Sequence, residues 1–319
     1  MSDALMPNAR PAVDPALDGA RKLVERTTSG ELVRPIVKTF FDEATFTATH
    51  VVHDPTTRAA AIIDSVMDFD QPSGRTSLES AFRIIDYVRG RGLRVEWILE
   101  THVHADHMSA APYLQQELSG KLGIGKEIVT VQGVFGNIFN EGSEFARDGS
   151  QFDQLFGDGD TFAVGNIAAI ALHVPGHTPA DMAYVVGDAV FVGDTMFMPD
   201  YGSARADFPG GDARQLYRSV RRLMSLPDQS RVFLCHDYKA PNRDEFVWET
   251  TIVAERAGNV HLHDGVSEDA FVAMRAERDA TLAMPKLILP SLQVNMRAGH
   301  LPPADENGTS YLKVPLNVL

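Results

Sequence analysis

The stretch Thr101-His102-Val103-His104-Ala105-Asp106-His107 decides the fold of this chain, because it places three imidazoles and one carboxylate within six positions. Residues 95–99 (VEWIL), directly before it, form a short apolar run that is typical of a buried strand. An isolated H-x-H pattern is usually a surface feature, but four ionisable groups this close together are costly to bury without a partner. The stretch therefore predicts a metal-binding loop at the end of a strand.

Three further segments carry ligand types, and each follows a predicted strand. They are Pro175-Gly176-His177-Thr178, Val192-Gly193-Asp194 and Leu234-Cys235-His236-Asp237. Open α/β sheets place their sites at the carboxyl ends of strands, where the strands fix the ligands and the loops give access. We therefore expect a site at that end of the sheets.

The alternation of strand and helix patterns predicts an α/β arrangement. A capping box from Thr76 to Glu79 predicts a helix that ends at Gly90 to Gly92, and Gly187-Asp188 predicts a two-residue hairpin. The other expected elements are a helix near 17–26, strands at 45–52, 59–63, 95–99, 167–174, 183–186, 189–192 and 232–234, and helices at 110–118 and 213–224. We interpret residues 118–160 as a long glycine-containing stretch and the chain after about residue 241 as a mixed extension.

Composition restricts the function. The 319 residues include 29 Lys and Arg against 43 Asp and Glu, a formal charge of −14, which argues against nucleic acid or an anionic membrane as a partner. No apolar stretch approaches the roughly 18 to 20 residues that span a bilayer. One cysteine, Cys235, against 11 histidines fits a reducing compartment and predicts metal ligands that are His and carboxylate rather than thiolate. We expect a cytoplasmic protein in which Cys235 is a buried small side chain without a role.

The ordered motifs THVHADH, PGHT, GDT and CHD resemble those of the metallo-β-lactamase superfamily over roughly residues 36–238. This resemblance implies an αββα sandwich of two mixed β-sheets flanked by helices. We expect a partly mobile N-terminal lead (1–30), a catalytic domain (31–240) and a C-terminal extension (241–319). The extension is expected to lie on the domain and to help form the substrate site.

A second set of residues is similar to the persulfide dioxygenase branch, which is close to glyoxalase II. It comprises Gly202-Ser203-Ala204-Arg205-Ala206-Asp207-Phe208, Leu216-Tyr217, His236-Asp237-Tyr238 and Asn295-Met296-Arg297-Ala298-Gly299. The resemblance implies one Fe(II) per chain, held by His102, His177 and Asp194. A 2-His-1-carboxylate site leaves positions open, which suits an iron enzyme that binds both a substrate and O₂. The implied reaction converts glutathione persulfide, O₂ and water into glutathione and sulfite.

Two alternatives stay open at the level of the sequence. The ligand types also fit a dizinc thioesterase of the glyoxalase II kind, because every residue of a binuclear site is present. In that case Zn²⁺ would be held by His102, His104, His177 and Asp194 on one side, and by Asp106, His107, His236 and a bridging Asp194 on the other. Otherwise we expect His104, Asp106, His107 and His236 to surround the iron ligands or to form an empty second half-site. A non-catalytic member that senses sulfur or binds thiols is the second alternative.

An anionic thiol substrate on an acidic protein needs local positive charge. The resemblance makes Arg205, Tyr238 and Arg297 candidates for substrate contacts, with Arg297 as a carboxylate clamp for glutathione. Arg205 could equally well form a purely structural ion pair with Asp207. A homodimer is expected as in related proteins. The other histidines are expected to be surface or hydrogen-bonded residues.

Overall fold

The structure, a computed structural model, describes residues 14–318. Its strands, in chain order, are β1 (Ile36–Asp42), β2 (Thr47–His53), β3 (Ala59–Ile63), β4 (Val66–Asp70), β5 (Arg75–Ser77), β6 (Arg94–Leu99), β7 (Met108–Ser109), β8 (Lys121–Gly125), β9 (Gln154–Phe156), β10 (Thr161–Val164), β11 (Ile167–His173), β12 (Met182–Val186), β13 (Ala189–Phe191), β14 (Arg231–Phe233) and β15 (Glu249–Thr251). Its helices are α1 (Pro15–Thr28), α2 (Glu79–Gly90), α3 (Ala111–Leu118), α4 (Ile128–Ile138), α5 (Ala213–Leu223), α6 (Ile252–Gly258), α7 (Glu268–Asp279) and α8 (Ile288–Asn295).

Two mixed six-stranded sheets form the centre of the molecule. The first has the order β1-β2-β3-β6-β8-β9, antiparallel up to β3 and parallel beyond it. The second has the order β10-β11-β12-β13-β14-β15, in which β13 and β14 are parallel and the other neighbours antiparallel. A small sheet, β5-β4-β7, lies beside them. The predicted Gly187-Asp188 hairpin joins β12 to β13 and is confirmed.

Three apolar layers hold the sandwich together. The inner layer combines side chains of the first sheet, such as Ile63, with those of the second, such as Tyr184 and Phe191. The second layer lies outside the first sheet and includes side chains of helices α2, α3, α4 and α8. The third layer lies outside the second sheet and includes side chains of α1, α5, α6 and α7. Each fully buried aliphatic or aromatic side chain contributes about 1.5–3 kcal/mol. The arrangement of helix, sheet, sheet and helix confirms the expected αββα fold.

Helix α1 confirms the short helix that was predicted near residues 17–26. The Asp14 carboxylate accepts a hydrogen bond from the Leu17 backbone N–H. Pro15, the first helical residue, has no backbone N–H that would need a partner. Leu23 and Val24 are buried in the apolar layer outside the second sheet. The predicted mobile lead falls largely on residues 1–13, which lie outside the described residues.

The predicted capping box at the start of α2 is wrong. Thr76 lies in β5, paired with Phe69 of β4, and the residue at the N-cap is Leu78, whose side chain makes no capping bond. Asp68 instead accepts hydrogen bonds from the Ser80 backbone N–H and hydroxyl. A carboxylate from a neighbouring strand thus satisfies donors of the first turn, which a local pattern does not reveal.

The stretch 118–160 and the chain after residue 241 contain elements that the sequence pattern missed. Helix α4 has the sequence IVTVQGVFGNI, whose β-branched residues and glycines have poor helix propensity, and its burial under the first sheet overrides that propensity. The C-terminal helices divide between the layers, with α6 and α7 on the second-sheet side and α8 on the first-sheet side. Within residues 14–318, every helix falls short of the length and apolarity needed to cross a membrane.

Helix α6 carries a buried carboxyl group, that of Glu255. One oxygen of Glu255 accepts a hydrogen bond from the Asn259 amide at 2.7 Å, and the other oxygen has no partner. Burial, reinforced by the nearby Asp200, raises the pKa of Glu255 from 4.5 to about 8. The group is therefore neutral in the folded protein at neutral pH.

We expect the stability of the protein to fall as pH rises from about 5 to 8, partly because of Glu255. Its folded-state pKa exceeds its unfolded-state pKa, so the stabilisation is complete below pH 4.5 and is lost as pH rises through about 8. Glu255→Gln stays neutral, and its free energy of unfolding should exceed that of the native protein by roughly 1–3 kcal/mol at pH 8. Urea unfolding from pH 5 to 9 measures this, with the exposed Glu277→Gln on α7 as the control. Parallel pH profiles for native protein and Glu255→Gln would contradict the assignment.

Candidate metal centre

The ligand candidates gather at one end of the sandwich, as the sequence predicts. The loop with His102, His104, Asp106 and His107 follows β6, and the other three candidates follow β11, β13 and β14. These three are His177, Asp194 and His236. The side chains are buried or nearly so. Strands of both sheets thus hold the ligands in place while their loops converge.

His102, His177 and Asp194 form one group, in which one ligand atom of each residue lies within 4.8 Å of the others. Asp194 Oδ2 is 3.8 Å from His102 Nε2 and 3.6 Å from His177 Nε2. Burial, together with the neighbouring imidazoles, holds the pKa of His102 well below its ordinary value, so this ring is neutral. A neutral imidazole is the form that binds a metal.

Several buried polar atoms at this centre lack a hydrogen-bond partner. They are His102 Nε2, His107 Nε2, His236 Nε2, Asp106 Oδ2 and Asp194 Oδ1. Buried polar atoms are normally paired because desolvation is costly. Five such atoms at one place, all nitrogen or oxygen, fit a divalent metal ion as the missing partner.

A second group consists of His104, Asp106, His107 and His236, whose ligand atoms also lie within 4.8 Å of one another. His236 Nε2 is 3.2 Å from Asp106 Oδ2 and 3.4 Å from Asp194 Oδ1. Asp194 therefore faces the first group with one oxygen and the second with the other. The dizinc alternative had placed His104 with His102 and His177, whereas the structure places it in the second group. Both groups could hold a metal ion.

Hydrogen bonds to the far side of each ring fix the orientation of the imidazoles. His177 Nδ1 donates to the Arg205 carbonyl at 2.8 Å, which leaves Nε2 to face Asp194. His236 Nδ1 donates to the Phe46 carbonyl at 3.1 Å, and His102 Nδ1 lies 3.0 Å from the Thr101 hydroxyl. Such outer partners fix the tautomer of a metal ligand and support its affinity.

Asp64 and Glu100 complete the centre, and neither residue was among the candidates predicted from the sequence. His104 Nε2 is 3.0 Å from Asp64 and 3.1 Å from Glu100, and Asp64 also accepts the Thr101 backbone N–H. Although burial alone would lower it, these two carboxylates raise the pKa of His104 well above its ordinary value. The other ring nitrogen, Nδ1, lies 4.0 Å from the Cys235 sulfur. Asp64 directly follows β3, and that strand-end position was the signal that could have revealed it.

Glycines before two ligands allow close contacts that a side chain would prevent. A Cβ atom added to Gly193, which has φ +53°, would lie 2.5 Å from the Thr101 hydroxyl oxygen. A Cβ atom added to Gly176, which has φ +147°, would lie 2.3 Å from the Leu216 backbone near the start of α5. Because both conformations are strained for other residues, glycine fixes the chain directly before Asp194 and His177.

Helix α8 secures the loop that carries four of the ligand candidates. The Asn295 amide donates to the His104 carbonyl at 2.9 Å and to the His107 carbonyl at 2.7 Å, and its oxygen accepts the Ser109 N–H. Asn295 belongs to the Asn295–Gly299 motif, whose pattern alone suggests no role for it. The C-terminal extension therefore contacts the metal loop directly.

Arg297 makes structural contacts in this conformation, and its role as a carboxylate clamp stays a prediction. Its side chain is buried, pairs with Glu141 at 2.7 Å and donates to the Gln293 carbonyl. The guanidinium also lies over the Phe145 ring, 4.5 Å from its centroid. A substrate carboxylate would have to displace Glu141, because that buried ion pair already neutralises the arginine.

Arg205 and Tyr238 lie near the ligands in different ways. Arg205 forms the predicted ion pair with Asp207, at 2.6 and 2.8 Å, and also donates to the Ala283 carbonyl. The Tyr238 ring is stacked on His236 with ring centroids 5.7 Å apart, and part of it is exposed. Their roles in binding a substrate stay a prediction.

A buried ion pair supports the segment that carries the Arg205 carbonyl. Arg275 of α7 bonds to Asp279 at 2.7 Å and donates to the Ser203 carbonyl, while the second Asp279 oxygen accepts the Ala206 backbone N–H. Both side chains are almost fully buried. This pair therefore fixes the backbone on either side of Arg205, and through it the ring of His177.

The remaining candidates agree with the interpretations from the sequence. Cys235 is buried, and burial raises the pKa of its thiol well above the ordinary value, so it stays a neutral side chain. Its ligand atom nevertheless lies within 4.8 Å of those of Asp194 and His236. His50, which matched no motif, is buried and bonded to Thr39 and to the Leu234 carbonyl.

A buried His and carboxylate centre at the end of an αββα sandwich defines a metal-dependent enzyme. The chain belongs to the metallo-beta-lactamase superfamily, whose family model matches residues 44–236. The probable metallo-hydrolase of Burkholderia pseudomallei is 54% identical, over 89% of this chain and 99% of that protein. The beta-lactamase hydrolase-like protein of Agrobacterium fabrum is 51% identical over 89% of this chain, which spans 65% of that longer protein.

Two names occur among the other relatives. Glyoxylase B2 of Dictyostelium discoideum is 46% identical over 89% of this chain and 97% of that protein. The solved structure of ETHE1 from Myxococcus xanthus is 30% identical and matches with a TM-score of 0.65, over 83% of this chain and all of that chain. The mitochondrial persulfide dioxygenase ETHE1 of Mus musculus is 28% identical over 88% of this chain and 94% of that protein.

Proposed function

We propose that the protein is a glutathione-dependent persulfide dioxygenase with one Fe(II) per chain. The observation that carries the proposal is the group of His102, His177 and Asp194, with two imidazoles and one carboxylate facing one point. This donor set leaves open positions for a substrate and O₂ on ferrous iron. The likeness to ETHE1 over most of the chain supports the proposal.

The proposed reaction balances with O₂ and water as the only co-substrates. Glutathione persulfide, O₂ and water give glutathione, sulfite and two protons, and the two sulfur atoms of the persulfide together lose the four electrons that O₂ takes up. The S–S bond breaks, and the glutathione sulfur leaves as a thiolate that takes up a proton. Bound iron would supply a place where the sulfur and O₂ come together and exchange electrons.

The protein's own residues would orient and shield this chemistry. The Arg205 carbonyl holds the Nδ1 proton of His177, and Asn295 holds the backbone of the metal loop. The buried ligands keep bulk water away from their donor atoms. Arg205 and Tyr238 are proposed to contact glutathione, and a homodimer and a cytoplasmic location remain proposals.

A dizinc thioesterase of the glyoxalase II kind is the second candidate. The second group of ligands favours it, because His104, Asp106, His107 and His236 offer a place for another ion beside Asp194. The names of the Burkholderia pseudomallei and Dictyostelium discoideum relatives point the same way. In that case a second metal ion would supply the activated water for hydrolysis of S-lactoylglutathione.

Metal analysis together with two assays distinguishes the candidates. We expect about one iron per chain, with O₂ uptake and sulfite formation when glutathione persulfide is added. S-lactoylglutathione should remain intact under the same conditions. Two zinc ions per chain, thioester cleavage and no oxygen uptake would overturn the proposal. Iron loading and thiol binding without turnover of either substrate would favour a sensing or binding protein.

A further inference from the structure

A small cavity lies against His177, on the side of the metal loop that faces α4 and α8. Its volume is about 20 Å³, and its wall includes Val103 and Ala105 from the loop, Val131 from α4 and Leu292 from α8. Val103 and Ala105 alternate in sequence with ligand candidates. The cavity therefore borders the ligand cluster directly at His177, and the metal loop forms part of its wall.

The only polar side chains in the described wall of the cavity already have partners. Thr178 donates its hydroxyl proton to Asp181, and its backbone N–H donates to the same carboxylate at 2.7 Å. His177 uses Nδ1 for the Arg205 carbonyl and directs Nε2 toward Asp194. A molecule in the cavity would therefore find mainly carbon atoms around it.

The size and chemistry of the cavity restrict its occupant. A volume of about 20 Å³ exceeds the roughly 10–15 Å³ that one water-sized molecule requires. A buried water needs about 2 to 4 polar partners, and cavities without them stay dry and take apolar ligands. A small apolar molecule fits both conditions, and dioxygen is the one that the proposed reaction consumes.

We propose that this cavity binds dioxygen and holds it beside the metal centre, an inference that rests on the proposed function. Burial in an apolar wall favours O₂ over water for the same reason that apolar solutes leave water. Neither Arg205 nor Tyr238, the proposed thiol contacts, lines the cavity. The Arg205 guanidinium lies over the outer wall residue Phe208, 4.7 Å from its ring centroid.

Krypton tests the cavity without any dependence on turnover, because it is an apolar atom of similar size that is visible by anomalous scattering. Crystals of the metal-loaded protein pressurised with krypton should show a peak between Val131, Leu292 and His177. An ordered water at that position, or no krypton there, would overturn the inference and leave the proposed function standing.

Val131→Ile adds one methyl group to the wall and should displace the gas. We expect the krypton peak to disappear and the KM for O₂ to rise several-fold, while iron content and the KM for glutathione persulfide stay unchanged. Val129→Ile on the same helix does not line the cavity and is the matched control. Ile288→Phe, from the α8 side, is the second variant if Val131→Ile folds poorly or leaves the cavity open.

An unchanged KM for O₂ in a variant whose crystal shows the cavity filled would refute the inference. The absence of oxygen uptake by the native protein is a different result, because it refutes the proposed function and with it the role of the gas. The krypton and oxygen measurements therefore separate the two failures.

Discussion

Asp194→Ala should lose the metal and the activity together. Asp194 Oδ2 faces both His102 and His177, and Oδ1 faces His236, so no other side chain can replace it at this point. Removal of an outer partner of a ligand typically costs about 10–100-fold in metal affinity or activity, and we expect the loss of this ligand to cost more. His177→Ala should behave in the same way.

Metal quantitation and oxygen uptake, with circular dichroism to show folding, measure this prediction. Asp106→Asn is the matched control, because Asp106 belongs to the second group of ligands. For a single iron at His102, His177 and Asp194, the control should keep its iron. Loss of about half the metal from Asp106→Asn would indicate a binuclear centre. Retained iron and full turnover in Asp194→Ala would refute the ligand assignment.

Arg275→Met should destabilise the protein by about 3–5 kcal/mol, because it leaves the buried Asp279 without its ion-pair partner. It also removes the donor to the Ser203 carbonyl, close to the segment that orients His177. We therefore expect weaker metal binding as well as lower stability. Urea unfolding and metal titration measure the two effects separately.

Arg278→Met is the control, since Arg278 is an exposed arginine on the same helix. Exposed charges of this kind contribute roughly 0–1 kcal/mol, so its stability should stay close to that of the native protein. Equal, small effects of both substitutions would show that the Arg275–Asp279 pair does not support the fold. A large loss of stability with unchanged metal affinity would restrict the pair to a structural role.

The fold and the ligand candidates could be predicted from the sequence because their signals are local. Strands β6, β11, β13 and β14 end a few residues before His102, His177, Asp194 and His236, and these strand ends meet at one edge. The expected αββα sandwich and the strand-end placement of these residues are confirmed. Helix α4 was missed because burial, rather than propensity, makes it helical, whereas α7 carries a local signal, the Ser267 N-cap, that was overlooked.

The partners of the ligands could not be predicted in this way. Asp64, Asn295 and Asp279 are distant in sequence from the ligands that they support, and each acts through hydrogen bonds that form only when separate elements come together. Arg297 illustrates the reverse case, because its motif suggested a substrate contact but Glu141 neutralises it in the folded chain.

The sequence by itself determined the superfamily, the αββα sandwich and the ligand types, because ligand identity and strand periodicity are properties of short segments. Only the tertiary structure decided how the ligands divide into two groups around Asp194, and which arginine charges are already neutralised. It also decided where an apolar cavity lies beside His177. These features depend on distances and burial between segments far apart in the chain, and packing alone sets such distances.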